Sequence, residues 1–291
     1  MTEIQIGLGL AMVAAVGTQL GALCKHRGAC HVPLVDIRRP IETLRHLLSS
    51  RWFVIGASVA VGAGILHFAA IALAPLSLVQ AILAGGVVLL AVMAERFFGY
   101  SVGTRQWWAV FLSAAGLILL ALTFPSLDGS HSRFAAPAMV AFQGGLLLFT
   151  VGLLLGVRHD GLAGYRGVLF GAMAGTLFGV SDVTIKALTG IASDGALAVL
   201  ASPWLIVAVV TGIFAQYSAV RALQEGDAVP VIAITGLSAN VANISGGILV
   251  FGDPLAGSAL GIVLQGLAFC CICAAAFLVP TAGTRERTAS A

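Results

Sequence analysis

Asp182 and Lys186 stand in the middle of an apolar run that extends from Gly167 to about Thr189. An ionised side chain at the centre of a bilayer costs about 2.5–3.5 kcal/mol on insertion scales, so such residues face a partner or a cavity rather than lipid. Their i, i+4 spacing places them on one helix face, where they can pair with each other. The same run carries Gly167, Gly171, Gly175 and Gly179, a ladder of small residues. At about 100° per residue, Lys186 lies about 20° around the helix from Gly179, and Asp182 about 60°. Both charges are therefore expected to point toward a closely packed neighbouring helix or an internal cavity. The pair reads either as part of a pathway or as a neutralised lock between helices.

Asn240 and Asn243 are the next polar pair, three residues apart, with Thr235 and Ser238 about a turn away. Amides offer both donors and acceptors, which suits a polar solute or the carbonyl ligands of an ion. Hydrogen bonding between helices is the plainer use, worth about 1 kcal/mol. His67, Gln143, Gln216 and Gln265 each place one polar group in an apolar run. Together they outline an uncharged but polar lining, and the His67 imidazole adds a group that ordinarily titrates near neutrality. Glu95 and Arg96 sit at the end of another apolar run, where they read as an interface anchor and gate contact. Glu225 and Asp227, near Arg221, read as a solvated turn. Cys24, His26, Cys30 and His31 lack the C-x2-C core of a zinc site, so no metal ligand set is assigned and no cofactor is called for.

The elements that carry these residues follow from composition. Of the 291 residues, 59% are hydrophobic and only 9% charged, against about a quarter charged in soluble domains. The fold class expected is an all-α polytopic membrane protein. With about 20 apolar residues needed per crossing, nine spans are expected, near 4–24, 52–72, 76–95, 106–124, 135–156, 167–189, 203–220, 229–250 and 256–279. Short loops make residues 1–280 a single bundle embedded in the lipid bilayer, with 281–291 a polar, disordered tail. The first span follows Glu3 and lacks a basic n-region, so it reads as retained rather than as a cleaved signal.

Basic residues concentrate in alternate loops: Lys25, Arg27, Arg38, Arg39, Arg45 and Arg51, then Arg96 and Arg105, Arg158 and Arg166, Arg221, and finally Arg285 and Arg287. This asymmetry places the N-terminus outside the cell membrane and the C-terminus in the cytoplasm. The net charge of +3 includes no basic tract suited to nucleic acid. Cys24 and Cys30 then flank a loop in the reducing compartment, and Cys270, Cys271 and Cys273 serve as small apolar side chains. In the first loop Ile37, Ile41, Leu44 and Leu48 recur at helical spacing after or around Pro40. The segment 32–50 reads as an amphipathic interfacial helix, with a degenerate tenth span as the rival.

The chain repeats itself. Ala72-Leu73 followed by Val79 matches Ala222-Leu223 followed by Val229, and each match runs on through a long apolar stretch to a short polar turn. Ala15-Val16-Gly17 before Lys25 pairs more loosely with Leu177-Phe178-Gly179 before Lys186. Spans 1–4 (residues 4–124) and 6–9 (residues 167–279) then form two repeats, with span 5 (135–156) as connector. One intervening helix inverts the second copy, the arrangement that supports alternating access about a midplane site. The polar residues do not repeat: Asn240 and Asn243 stand where the first copy has Leu90 and Met93, and the first span offers only Thr18 and Gln19 opposite Asp182 and Lys186.

His67-Phe68-Ala69-Ala70, Ala74-Pro75-Leu76-Ser77-Leu78-Val79 and Glu95-Arg96 resemble the drug/metabolite transporter superfamily, above all its NIPA-like, magnesium-transporter branch. Lys186-Ala187-Leu188, Gln216-Tyr217, Arg221-Ala222-Leu223-Gln224, Val229-Pro230-Val231 and Gly246-Gly247-Ile248-Leu249-Val250-Phe251 extend the resemblance to nearly the whole chain. It implies a nine-helix secondary transporter and, as substrate, magnesium or a related divalent ion. The branch has Gly-Glu shortly before an Asn-Phe pair. This chain has Ala63-Gly64 before His67-Phe68, so an expected membrane carboxylate is missing. Three functions remain open: transport of an ion such as Mg2+, transport of a small organic metabolite or drug, and a non-transport scaffold or intramembrane enzyme. Paired carboxylates, a Ser/His dyad and a phosphate loop are absent from the spans, which argues against the enzyme, and the paired blocks argue against the scaffold. A homodimer is left open.

Overall fold

The computed structural model describes residues 3–93 and 134–278, apart from 37, 77, 80, 81, 84, 87, 88, 90, 91, 254 and 255, with scattered positions between 104 and 123. Glu95, Arg96, Leu90 and the tail 281–291 lie outside the described residues. The described secondary structure is helical. α1 (Glu3–Ala29), α2 (Pro40–Ser49), α3 (Arg51–Leu73), α4 (Ala136–Arg158), α5 (Arg166–Ile191), α6 (Pro203–Glu225), α7 (Ala228–Phe251) and α8 (Ala259–Leu278) follow in order. Among the described residues, six helices are long and apolar enough to cross a membrane, namely α1, α3, α4, α5, α6 and α7. α8 continues the series as a further apolar helix. The described positions in the expected spans 76–95 and 106–124 are helical.

Local chemistry sets the ends. The Ser50 and Ser202 hydroxyls accept from the backbone N–H of Phe53 and Trp204, capping α3 and α6. Pro40 and Pro203 open α2 and α6, where the missing N–H is no loss. α7 stops at Gly252, whose left-handed φ of 66° suits glycine. α3 stops because Pro75 follows Ala74: the residue before proline is driven to extended backbone, and Ala74 adopts φ −138° and ψ 160°.

Small residues decide the packing. A Cβ on Gly175 would lie 2.2 Å from the Thr235 carbonyl oxygen, and one on Gly179 would lie 2.3 Å from Ala242 Cβ. The glycine ladder of α5 thus lies directly against α7, as its spacing predicts. Gly7 meets Ala74, Gly17 meets Ala63 and Gly28 meets Phe53, so α1 and α3 run antiparallel in close contact. Gly167 meets Gly226 and Ser181 bonds to Ala208, so α5 and α6 form a second antiparallel pair.

The two pairs have opposite polarity. His67 and Ile71 of α3 face Asp182 and Lys186 of α5 in that order, so α3 and α5 run parallel. α1 and α5, the first helices of the two pairs, therefore run in opposite directions.

α2 forms at the expected proline. Leu47 is buried against Ala29, Val35, Phe53 and Val220, while Ile41 (85% exposed), Leu44 and Leu48 face outward. The apolar stripe of α2 is free of the bundle.

Candidate functional site

Pro75 creates the first feature of the site. The Ile71 carbonyl would normally accept the N–H of residue 75, and proline has none. Lys186 fills that gap. Its Nζ donates to Ile71 O and, at 2.9 Å, to Ala74 O. The side chain is fully buried among Ile71, Ala74, Val183 and Ala187. Asp253, itself buried, acts on the ammonium electrostatically from the end of α7. One cation thus ties α5 to the end of α3, satisfying carbonyls that would otherwise be stranded in an apolar setting.

The expected Asp182–Lys186 pair does not form. Asp182 Oδ2 accepts from Asn243 Nδ2 at 2.7 Å and lies 3.5 Å from His67 Nε2. The cause is tertiary: the long lysine chain reaches past its own helix to the orphaned carbonyls of α3, while the short aspartate stays on the α3–α5–α7 junction. The carboxylate is left unneutralised by lysine. Asn243 is fully buried, and with its N–H spent on Asp182 its Oδ1 has no partner among the described residues. A carboxylate, an imidazole and a free amide oxygen therefore converge from three helices. A buried oxygen without a donor is costly, and a cation is one group that would satisfy it.

Asn240 is buried one turn earlier on α7 and is not part of this group. Gln143, also buried, donates to Thr184 Oγ1 at 2.7 Å, linking α4 to α5 beside the site. Thr184 in turn donates to Val180 O. Nothing in the sequence singled out Thr184 beyond its place between Asp182 and Lys186. Gln265 accepts from Ala256 N at 3.0 Å and so braces the turn before its own helix. Gln216 is exposed on α6 and joins no polar lining. The single lining expected from His67, Gln143, Gln216 and Gln265 is thus divided, and only His67 touches Asp182.

At the far end of α1 the chain is bound differently. Gln224 Oε1 accepts from Val35 N at 2.9 Å, and its Nε2 donates to Ala29 O and Pro33 O at 3.3 and 3.0 Å. Arg221 donates to Val35 O at 2.9 Å and pairs with Glu225. The loop after α1 is strapped to the end of α6. This use of Glu225 and Arg221 departs from the solvated turn expected there. Arg27 stacks over Trp52 at the same end, 4.3 Å from the ring centre, an ordinary cation–π contact. All five cysteines are free, and among the described residues no group of three or more His, Cys, Asp or Glu side chains could hold a metal.

The chain is similar to the probable magnesium transporter NIPA9 of Arabidopsis thaliana. The two are 21% identical over 266 residues, which covers 88% of this chain and 76% of that relative. No family model matches the chain, and no solved structure does. The branch resembled by the motifs around His67, Pro75 and Lys186 is the one this comparison returns. Together with the apolar helices, it supports a multi-pass membrane protein.

Proposed function

We propose that the chain is a secondary transporter of the drug/metabolite type that moves a cation, magnesium or a related divalent ion, by alternating access. The observation that carries this reading is Asp182: its carboxylate faces His67 and Asn243 rather than Lys186, and so remains available to a positive solute. Mg2+ keeps several of its waters and needs only one or two carboxylates, which suits one carboxylate beside a free amide oxygen. The similarity to a probable magnesium transporter points the same way. The opposite polarity of the α1–α3 and α5–α6 pairs supports an inverted repeat, with α4 as connector. Its two ties, Lys186 at one end and Gln224 at the other, lie where rocking halves would part. Basic residues gather at the Gln224 end, which supports placing it in the cytoplasm.

Protein reconstituted in liposomes tests this by Mg2+ influx. Saturable flux is expected, falling at least about tenfold in Asp182→Asn if the carboxylate contributes a typical charged contact of about 1.5–3 kcal/mol. Asn243→Leu and Asn240→Leu separate the residue in the group from its buried neighbour: the first reduces flux and the second leaves most of it. Flux indifferent to Asp182→Asn would remove the ion reading. The single carboxylate, with Ala63-Gly64 in place of the branch's Gly-Glu, favours a small organic cation as the second reading. Competition by organic amines in the same vesicles decides between them.

A further inference from the structure

A second polar constellation lies away from Asp182, at the end of the bundle that holds the strap. Arg158, the last residue of α4, Arg166, the first of α5, and Arg221 of α6 line a recess of about 340 Å³, with Val157 and Phe170 as its apolar floor and Glu225 on its wall. Arg221 is already engaged, by Glu225 and by Val35 O. Among the described residues neither Arg158 nor Arg166 forms an ion pair. Asp160, in the turn between α4 and α5, is exposed and does not line the recess. Arg166 Nε is buried and has no acceptor among the described residues. A buried guanidinium donor without a partner is as unfavourable as any other stranded polar group, and more so for its charge.

We infer that this recess binds a phosphate-ester anion, held by the guanidinium groups of Arg158 and Arg166 against a wall fixed by Arg221. Two forked guanidinium groups match the oxygens of a phosphate, each able to donate two parallel bonds. The apolar floor accepts the carbon-bearing side of an ester better than it would a fully hydrated ion. Basic recesses between membrane helices are suited to anionic lipid head groups, and here α4 and α6 finish and α5 begins. The same chemistry would accept a soluble phosphate compound. The site is independent of what passes Asp182.

The test uses the full chain in detergent, with phosphatidic acid, phosphatidylcholine and inorganic phosphate as probes, read by native mass spectrometry and thermal unfolding. Phosphatidic acid should stay bound and raise the unfolding temperature, whereas phosphatidylcholine should not. Arg158→Gln and Arg166→Gln should each weaken retention by about tenfold, with Arg166→Lys between them and wild type. Arg158 is exposed, so its substitution leaves the bundle folded, and unfolding without any probe checks this. A shift given by inorganic phosphate alone would assign the site to a soluble phosphate. Equal retention of phosphatidic acid by wild type and both glutamine variants, or no shift with any probe, overturns the proposal. Mg2+ flux is not read in this experiment, so it stands or falls apart from the transport reading.

Discussion

At one end of the bundle a single buried ammonium holds the Ile71 and Ala74 carbonyls of α3. At the other, the half-buried Gln224 and Arg221 hold the loop Ala29–Val35 through four hydrogen bonds. α1 runs the distance between them, from Gly7 beside Ala74 to Ala29 beside Gln224, about 30 Å at 1.5 Å per residue. The first tie is shut off from solvent: Ile71, Ala74 and Lys186 are fully buried, and aromatic contacts of Phe134 with Trp204 and Phe251 close the packing nearby. The second tie is partly open to solvent, so water can replace bonds that it loses. A buried cation tie is therefore rigid and costly to break, while a half-exposed strap is the more readily released of the two.

The sharpest way to break this contrast is Lys186→Met. It keeps the length of the side chain but strands two carbonyls, each worth about 1–3 kcal/mol when buried and unsatisfied. Unfolding in detergent should shift down by more than for any other substitution considered. A loss no greater than at the strap would show that water reaches the Ile71 end. Gly175→Ala comes next, since its Cβ would press on the Thr235 carbonyl; a loss of about 1–3 kcal/mol is expected from the forced separation of α5 and α7.

Gln224→Leu removes three bonds of the strap and should cost about 1 kcal/mol, because solvent compensates most of them. Limited proteolysis within 30–36 should rise at the same time. Combined with Lys186→Met, its effect should add within about 0.5 kcal/mol, as distant sites do; strong coupling would mean that the two ends move as one. Gln216→Leu is the smallest, leaving unfolding and flux within error, because the side chain is exposed on α6. A clear loss of flux there would restore Gln216 to the pathway.

The helices, and the face on which α5 meets α7, are legible in the order of residues alone. Runs of apolar residues give lengths close to those of α1, α3, α4, α5, α6 and α7, since a helix with its own backbone bonds satisfied is the form open to such a run in lipid. Pro40 marked α2, and the glycine ladder of α5 marked the face on which α7 packs, because only small residues let two backbones approach. The spacing of Asp182 and Lys186 was equally plain, and both do point into the bundle.

Which partner each charge takes was decided by the tertiary structure. A helical spacing of four permits a pair but does not compel it when a better acceptor lies across the packing. Pro75 removes a donor more than a hundred residues away from Lys186, and only the parallel approach of α3 and α5 brings the stranded Ile71 carbonyl within reach of the ammonium. That same approach sets Asp182 against His67 and Asn243, so the helical spacing does not become an aspartate–lysine pair. The lining imagined from His67, Gln143, Gln216 and Gln265 separated for a like reason. Polar residue types are written in the chain, but the face each one occupies depends on which neighbours cover it.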